Sequence, residues 1–153
     1  MAEIVAELSD LQLHQLQKEP FVLLGTIDAE TSVPVSSAIS WVYAPDSRRI
    51  RFAIDQRSRL ISNIQAAPHV TITFFAGGSV YAASGKAKIA ADALEGVPFK
   101  LACFEMAVES VKDIMFYGAR VSVEPEYEKT YDKRAAEKLD NQVFAAIKKA
   151  WFG

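Results

Sequence analysis

Apolar positions along this chain keep two rhythms, and the switches between them mark out the elements. In residues 7–18 (ELSDLQLHQLQK), Leu8, Leu11 and Leu16 share a helical face, Ser9 stands at the N-cap position and Pro20 ends the run. The stretch FVLLGTID is strand-like and is stopped by the polar AETS. Residues 34–43 (PVSSAISWVY) alternate loosely and end in the turn residues Ala-Pro-Asp-Ser, and residues 49–54 (RIRFAI) alternate cleanly. Three strands joined by short polar connections predict antiparallel pairing.

From Asp55 the rhythm changes again (DQRSRLISNIQAAPHVTITFF). A polar, basic opening leads into a helix over about residues 58–67, Pro68 breaks it, and a strand covers 69–75. Gly77-Gly78 predicts a hairpin turn into a long strand over 79–90, within which Gly85 marks a bulge or a close backbone approach. Residues 93–111 read as a largely apolar helix interrupted near Pro98, and 114–123 as a strand closed by Glu124-Pro125. The tail, 133–152, reads as a helix with Ala136, Leu139, Val143, Ala146, Ile147 and Ala150 on one stripe. This order predicts an α+β, mainly β fold: a six-stranded antiparallel β-barrel with peripheral α-helices. A single domain spans 1–153, with the barrel core at about 20–125 and the C-terminal helix at about 133–152.

Composition narrows the function classes. With 50% apolar and 24% charged residues among 153, the chain can bury a sizeable core. A net charge of −2 offers no basic face, so no nucleic-acid partner is expected and any attraction to phosphate must be local. The lone Cys103, in the apolar run FKLACFEMAV, excludes an intrachain disulfide and reads as a buried structural thiol. Acidic residues at the start, and no apolar run near the ~20 residues a membrane helix needs, predict a soluble cytoplasmic protein without a membrane partner. His14 and His69 lie far apart with no metal-ligand spacing, so no metal site is expected.

The chemically suggestive stretch is Arg57-Ser58-Arg59 at the mouth of the predicted helix. A helix start offers unpaired N–H groups and a positive dipole end, and arginine suits phosphate. The same residues also suit a plainer role, with Ser58 as cap and both arginines in solvent; local chemistry alone favours that one. Trp41 and Tyr43 either flank a flat ring or serve as ordinary core or dimer contacts, while Lys86 and Lys88 read as a solvated strand face. No nucleophile elbow, phosphate loop, dinucleotide glycine fingerprint or paired-carboxylate arrangement is present, and no catalytic residue is nominated.

Taken in order, FVLLGTID, VPVSSA, RIRFAI, SRLISNIQAAPHVTI and SGKAK resemble the pyridoxamine 5′-phosphate oxidase-like family, the FMN-binding split barrels, over about 21–125. The resemblance implies a split barrel forming a homodimer with the flavin in a shared groove. Residues 93–111 and 114–123 would supply part of the interface. It places Ser58 and Arg59 at the FMN phosphate, Ile39, Ser40 and Trp41 on the strand facing the ring, and Ala53 and Ile54 beside the ribityl chain; Arg57, two positions before Arg59, would partly substitute for a missing family cation. Hydroxyls of Ser36, Ser37 and Ser40 would tune the ring. Leu60 stands where the family has a phosphate-binding lysine, and Ala38 where true oxidases have a strand arginine. The implied function is a flavin-dependent oxidoreductase or flavin-binding protein of the general stress type, not a true pyridoxamine phosphate oxidase. The alternatives are a barrel binding haem, with His69 the residue to inspect, or a deazaflavin, or a cofactor-free dimeric interaction module.

Overall fold

The computed structural model describes residues 4–150, so the end of the helix expected to reach residue 152 lies outside the described residues. Three helices and eight strands follow one another as β1 (Ile4–Val5), α1 (Asp10–Leu16), β2 (Val22–Ile27), β3 (Pro34–Ile39), β4 (Val42–Asp46), β5 (Arg49–Asp55), α2 (Arg59–Ala66), β6 (His69–Ala76), β7 (Ser79–Ala91), β8 (Leu101–Asp113) and α3 (Lys133–Lys149). All the pairings are antiparallel. The mainly β, antiparallel expectation holds; the count of six strands does not.

Local chemistry explains most boundaries. Ser9 and Gln12 form a reciprocal capping box at α1, Ser58 caps α2 and Asp132 caps α3. Gly77 and Gly78 both take positive φ, 55° and 82°, which is what a two-residue hairpin turn between right-twisted strands demands. At Gly85 the β7–β8 register slips by a residue, and an added Cβ would sit 1.8 Å from the Ala107 carbonyl oxygen.

The sheet runs β3-β2-β6-β7-β8-β5-β4, with β1 attached to β8. Its two end strands, β3 and β4, are consecutive in the chain and separated only by Ser40 and Trp41. A link of two residues spans under about 10 Å, so the sheet must curl until its edges meet at that point. The strand expected over 34–43 is therefore two strands that pair on opposite sides of the fold, β3 with β2 and β4 with β5. The inward face carries Leu24, Ile50, Phe52, Ile72, Phe74 and Met106, all fully buried.

Two expectations fail. Residues 101–111, expected as helix, lie in β8, paired to both β5 and β7, and Leu101 to Met106 are buried. The apolar surface of Leu101 to Met106 is thus covered within the chain. Residues 114–123, expected as strand, are irregular; Phe116, Tyr117 and Val123 are largely exposed. The outer face of β5 and β8 is covered by α3, whose Val143, Phe144 and Ile147 pack on Ala53, Leu101 and Cys103. Burying three such side chains contributes about 1.5–3 kcal/mol each. Arg51, buried on this face, donates Nε to Glu105 Oε1 at 2.9 Å and Nη1 to the Ile147 carbonyl at 3.1 Å, fixing the C-terminal turn of α3 to the sheet. Cys103 is fully buried, and burial pushes its thiol pKa up to about 12, as an inert structural cysteine requires. No helix among the described residues is long and apolar enough to cross a membrane.

Candidate functional site

The point where the curled sheet closes is also where the candidate residues gather. At the β3–β4 break, backbone groups leave the ladder, and the Trp41 carbonyl instead accepts from Ala53 N–H at 3.0 Å, tying the break to β5. The Trp41 indole Nε1 donates to Asp140 Oδ1 of α3 at 2.9 Å, and Lys129 Nζ holds the same carboxylate at 3.1 Å. Trp41 is thus clamped at its backbone and at its ring.

Beside it lies a cavity of about 310 Å³, lined by Ile39, Ser40 and Trp41 from the break, Ala53 and Ile54 from the end of β5, and Ser58 before α2. These are six of the eight residues the sequence nominates. Ser37 joins them; Ser36 is not among the lining residues. Asp55 is the one charged side chain on the wall, and Ala38 and Leu60, the positions without the family's cations, both line it. The cavity is at the small end of ligand sites, and Trp41 is the aromatic residue among those lining it.

Arg57 and Arg59 do not line this cavity. Arg57 makes a two-pronged contact with Asp55, Nε to Oδ1 and Nη2 to Oδ2, both at 3.1 Å, and its own N–H donates to Asp55 Oδ1 at 2.8 Å. The bonds from Arg57 hold the Asp55 carboxyl below its ordinary pKa, and Asp55 in turn raises that of Arg57. Arg59 reaches across to the β2–β3 turn, where Nη2 lies 2.9 Å from Asp28 and 3.8 Å from Glu30. Backbone N–H groups of Thr31 and Glu30, joined by the Arg59 charge, keep Asp28 below the usual carboxylate range. Asn63 reinforces this clip, accepting from Ala29 N–H at 2.9 Å and donating to Thr26 Oγ1 at 3.1 Å. Ser58 Oγ accepts from Leu60 N–H at 3.1 Å, the ordinary capping bond. The residues sequence reading missed are Asp28, Asp55 and Asp140; each acts on a nominated residue from another element or from the end of β5.

His69 lies on an exposed strand end, 3.5 Å from Glu109, away from the cavity. Among the described residues no cluster of His, Cys, Asp and Glu is arranged to hold a metal ion.

A family model described as pyridoxamine 5′-phosphate oxidase matches residues 8–139. The chain belongs to the pyridoxamine 5′-phosphate oxidase family. The match extends past the sheet into α3 and ends at residue 139, one position before Asp140. No curated protein matches the chain in sequence. Among solved structures, a Lactobacillus delbrueckii protein provisionally named a pyridoxamine 5′-phosphate oxidase is 15% identical, covers 70% of this chain and 94% of its own, and superposes with a TM-score of 0.59. General stress protein 26 of Bacillus anthracis is 12% identical, covering 68% and 92%, with a TM-score of 0.52. A heme-binding protein of Mycobacterium smegmatis is 12% identical, covering 73% and 55%, with a TM-score of 0.53, and an F420 reductase scores 0.53 at 15% identity. At these identities the likeness is one of fold.

Proposed function

We propose that this family member binds FMN as a homodimer and works as a flavin-dependent oxidoreductase of the general stress type rather than as a true pyridoxamine phosphate oxidase. The reading rests on one observation: Ile39, Ser40, Trp41, Ala53, Ile54 and Ser58, separated by up to 19 positions, line one cavity in a chain of this family. The isoalloxazine ring would lie against Trp41 and the backbone of 39–41, with the ribityl chain along Ala53 and Ile54 and the phosphate directed toward residues 55–59. On this reading the unpaired edges of β3 and β4 would form the split of a split barrel. Bound flavin supplies the hydride or electron chemistry. The chain's own contribution is to fix the ring, through Trp41 and Asp140, and to exclude water from one of its faces. Asp55, the one titratable group on the wall, is held ionised and is no proton donor at neutral pH. Ala38 and Leu60 leave the cavity without a cation for a second phosphate, which argues against pyridoxamine phosphate as substrate.

The dimer reading draws on the exposed apolar segment containing Ile114, Phe116 and Tyr117, which a second copy would cover. Light scattering giving a monomer mass at micromolar concentration removes that part of the reading.

A deazaflavin presents a similar flat ring, so the neighbouring F420 reductase makes F420 the ligand to run beside FMN. Haem is less well served, because neither His14 nor His69 lines the cavity to ligate iron. The test is a fluorescence titration with FMN and with F420, alongside the visible spectrum of the purified protein. Saturable FMN binding at one per chain supports the reading. Preferential F420 binding changes the cofactor, and a colourless protein that binds neither leaves an interaction module.

A further inference from the structure

At the far end of β8 from the ring cavity, the barrel opens onto a second and larger space. Ala53, on the wall of the ring cavity, pairs with Cys103, and Asp113 ends the same strand roughly 30 Å further along. There Val5, Gln12, Ser79, Tyr81, Val111 and Asp113, with the arch of residues 115–119, surround about 720 Å³, within the range of small-molecule sites.

Its polar groups are held in place and left partly unused. Gln12 is 6% exposed, and its Oε1 accepts from the Ser9 N–H at 2.8 Å, which fixes the amide so that Nε2 is the free end. Nε2 has no acceptor among the described residues. No sealed side-chain polar atom there lacks a partner, so this donor must open onto the cavity. Asp113 is oriented in the same way. Ser79 Oγ donates to its Oδ1 at 2.6 Å and the Met115 N–H at 3.0 Å, leaving Oδ2 unengaged among the described residues. The Tyr81 ring is held against Phe74, 5.7 Å between centroids, and Phe116 and Tyr117 stand largely exposed on the rim.

The wall thus offers one carboxylate, one amide donor and three aromatic rings, with no Lys, Arg or His among its residues. Lacking a cation, it repels phosphates and carboxylates. One carboxylate does not make a metal site, and no metal-holding cluster occurs among the described residues. A carboxylate among aromatic faces attracts an organic cation, whose charge gains from both. The Gln12 donor adds a demand for a neutral oxygen on the same ligand.

We propose that this end of the barrel binds a small organic ammonium ion carrying a hydroxyl or ether oxygen, an amino alcohol or its quaternary form. Its nitrogen sits against Asp113 Oδ2 and the faces of Tyr81, Phe116 and Tyr117, and its oxygen accepts from Gln12 Nε2. The site requires neither the flavin nor the second copy invoked above. It gives the exposure of Phe116 and Tyr117 a different reason, because a bound cation covers them.

Three probes test this by amide NMR of the full chain: choline, tetramethylammonium, and the alcohol in which carbon replaces choline's nitrogen. Choline should give saturable shifts at Gln12, Tyr81 and Asp113 and bind about tenfold more tightly than the uncharged alcohol. Asp113→Asn should close that gap by weakening choline while leaving the alcohol unchanged. Tetramethylammonium lacks the hydroxyl and should bind about fivefold more weakly than choline, a difference that Gln12→Met should remove. Each ratio is taken within one variant, so a change in that variant's stability cancels. The proposal is overturned when choline and the alcohol bind alike, when the gap survives in Asp113→Asn, or when shifts centre on Trp41 or never saturate. If Phe116→Ser lowers the mass by light scattering while choline shifts nothing, the rim belongs to a subunit contact and the proposal fails.

Discussion

Replacing Arg51 with methionine tests how the helix over the site is held. Arg51 is 3% exposed and makes three contacts: Nε to Glu105 at 2.9 Å, and Nη1 to the carbonyls of Ile147 at 3.1 Å and Lys148 at 3.4 Å. The last two place a cation on the negative dipole end of α3. Methionine fills a similar volume, so the loss is electrostatic rather than a cavity. It strands Glu105, 7% exposed, and removing one partner of a buried pair costs about 3–5 kcal/mol. Arg49, 3.6 Å from the same carboxylate and 39% exposed at its side chain, neutralises part of that charge. We therefore expect a value near the lower end, about 3 kcal/mol. In a chain of 153 residues each kcal/mol moves the melting temperature by ~2–4 °C, so the shift should be about 6–12 °C. Thermal and urea melts followed by circular dichroism measure it. The double variant Arg51→Met/Glu105→Leu removes the stranded charge and should recover most of the loss. A single variant within about 1 kcal/mol of wild type, or a double variant no better than the single, refutes the assignment of the pair as the anchor of α3.

Three further outcomes follow from other contacts. Asp140→Ala frees the Trp41 indole and should weaken FMN and riboflavin by the same factor, about two- to tenfold, whereas Asp140→Asn, which keeps the acceptor, should not; unequal losses for the two flavins would contradict the ring-positioning role. Gly85→Ala puts a Cβ 1.8 Å from the Ala107 carbonyl oxygen, so backbone must move and the urea midpoint should fall by an amount equal to at least about 1–3 kcal/mol; an unchanged midpoint would show that the bulge is not tight. Cys103 should resist thiol reagents at pH 8 in the folded protein and react after denaturation. Because burial raises its pKa from the ordinary 9.0 to about 12, the unfolded chain ionises first, and its contribution makes stability fall as pH rises through that window. A Cys103→Ala variant should lose that component of the alkaline slope.

How legible each part was depends on how far the deciding contacts reach. The stretch from 55 to 76 was readable nearly to the residue, because Ser58, Pro68 and the 69–75 alternation act on their immediate neighbours. β8 was misread because α3 covers its outer face while the barrel interior covers the other. A strand buried on both sides shows the continuous apolar run Leu101–Phe104 instead of alternation, and such a run cannot be told from a buried helix by period alone. The break at Ser40–Trp41 carries neither Gly nor Pro; it exists because β3 and β4 find different partners. In 114–123 an apolar run, Ile114 to Tyr117, is followed by Val121 and Val123, but the segment's bonds to Val80 and Gly78 are isolated and build no ladder, and an apolar pattern without a paired neighbour is not a strand. The same distinction governs the site. Arg57-Ser58-Arg59 announces three donors, and their chemistry is local. Whether a donor is available depends on carboxylates placed by the fold. Asp55 is two residues from Arg57, but Asp28 is 31 residues from Arg59 and arrives through the β2–β3 turn. The availability of a donor is a balance of charges within a few ångströms, and a balance whose terms come from separate segments is settled only when those segments meet.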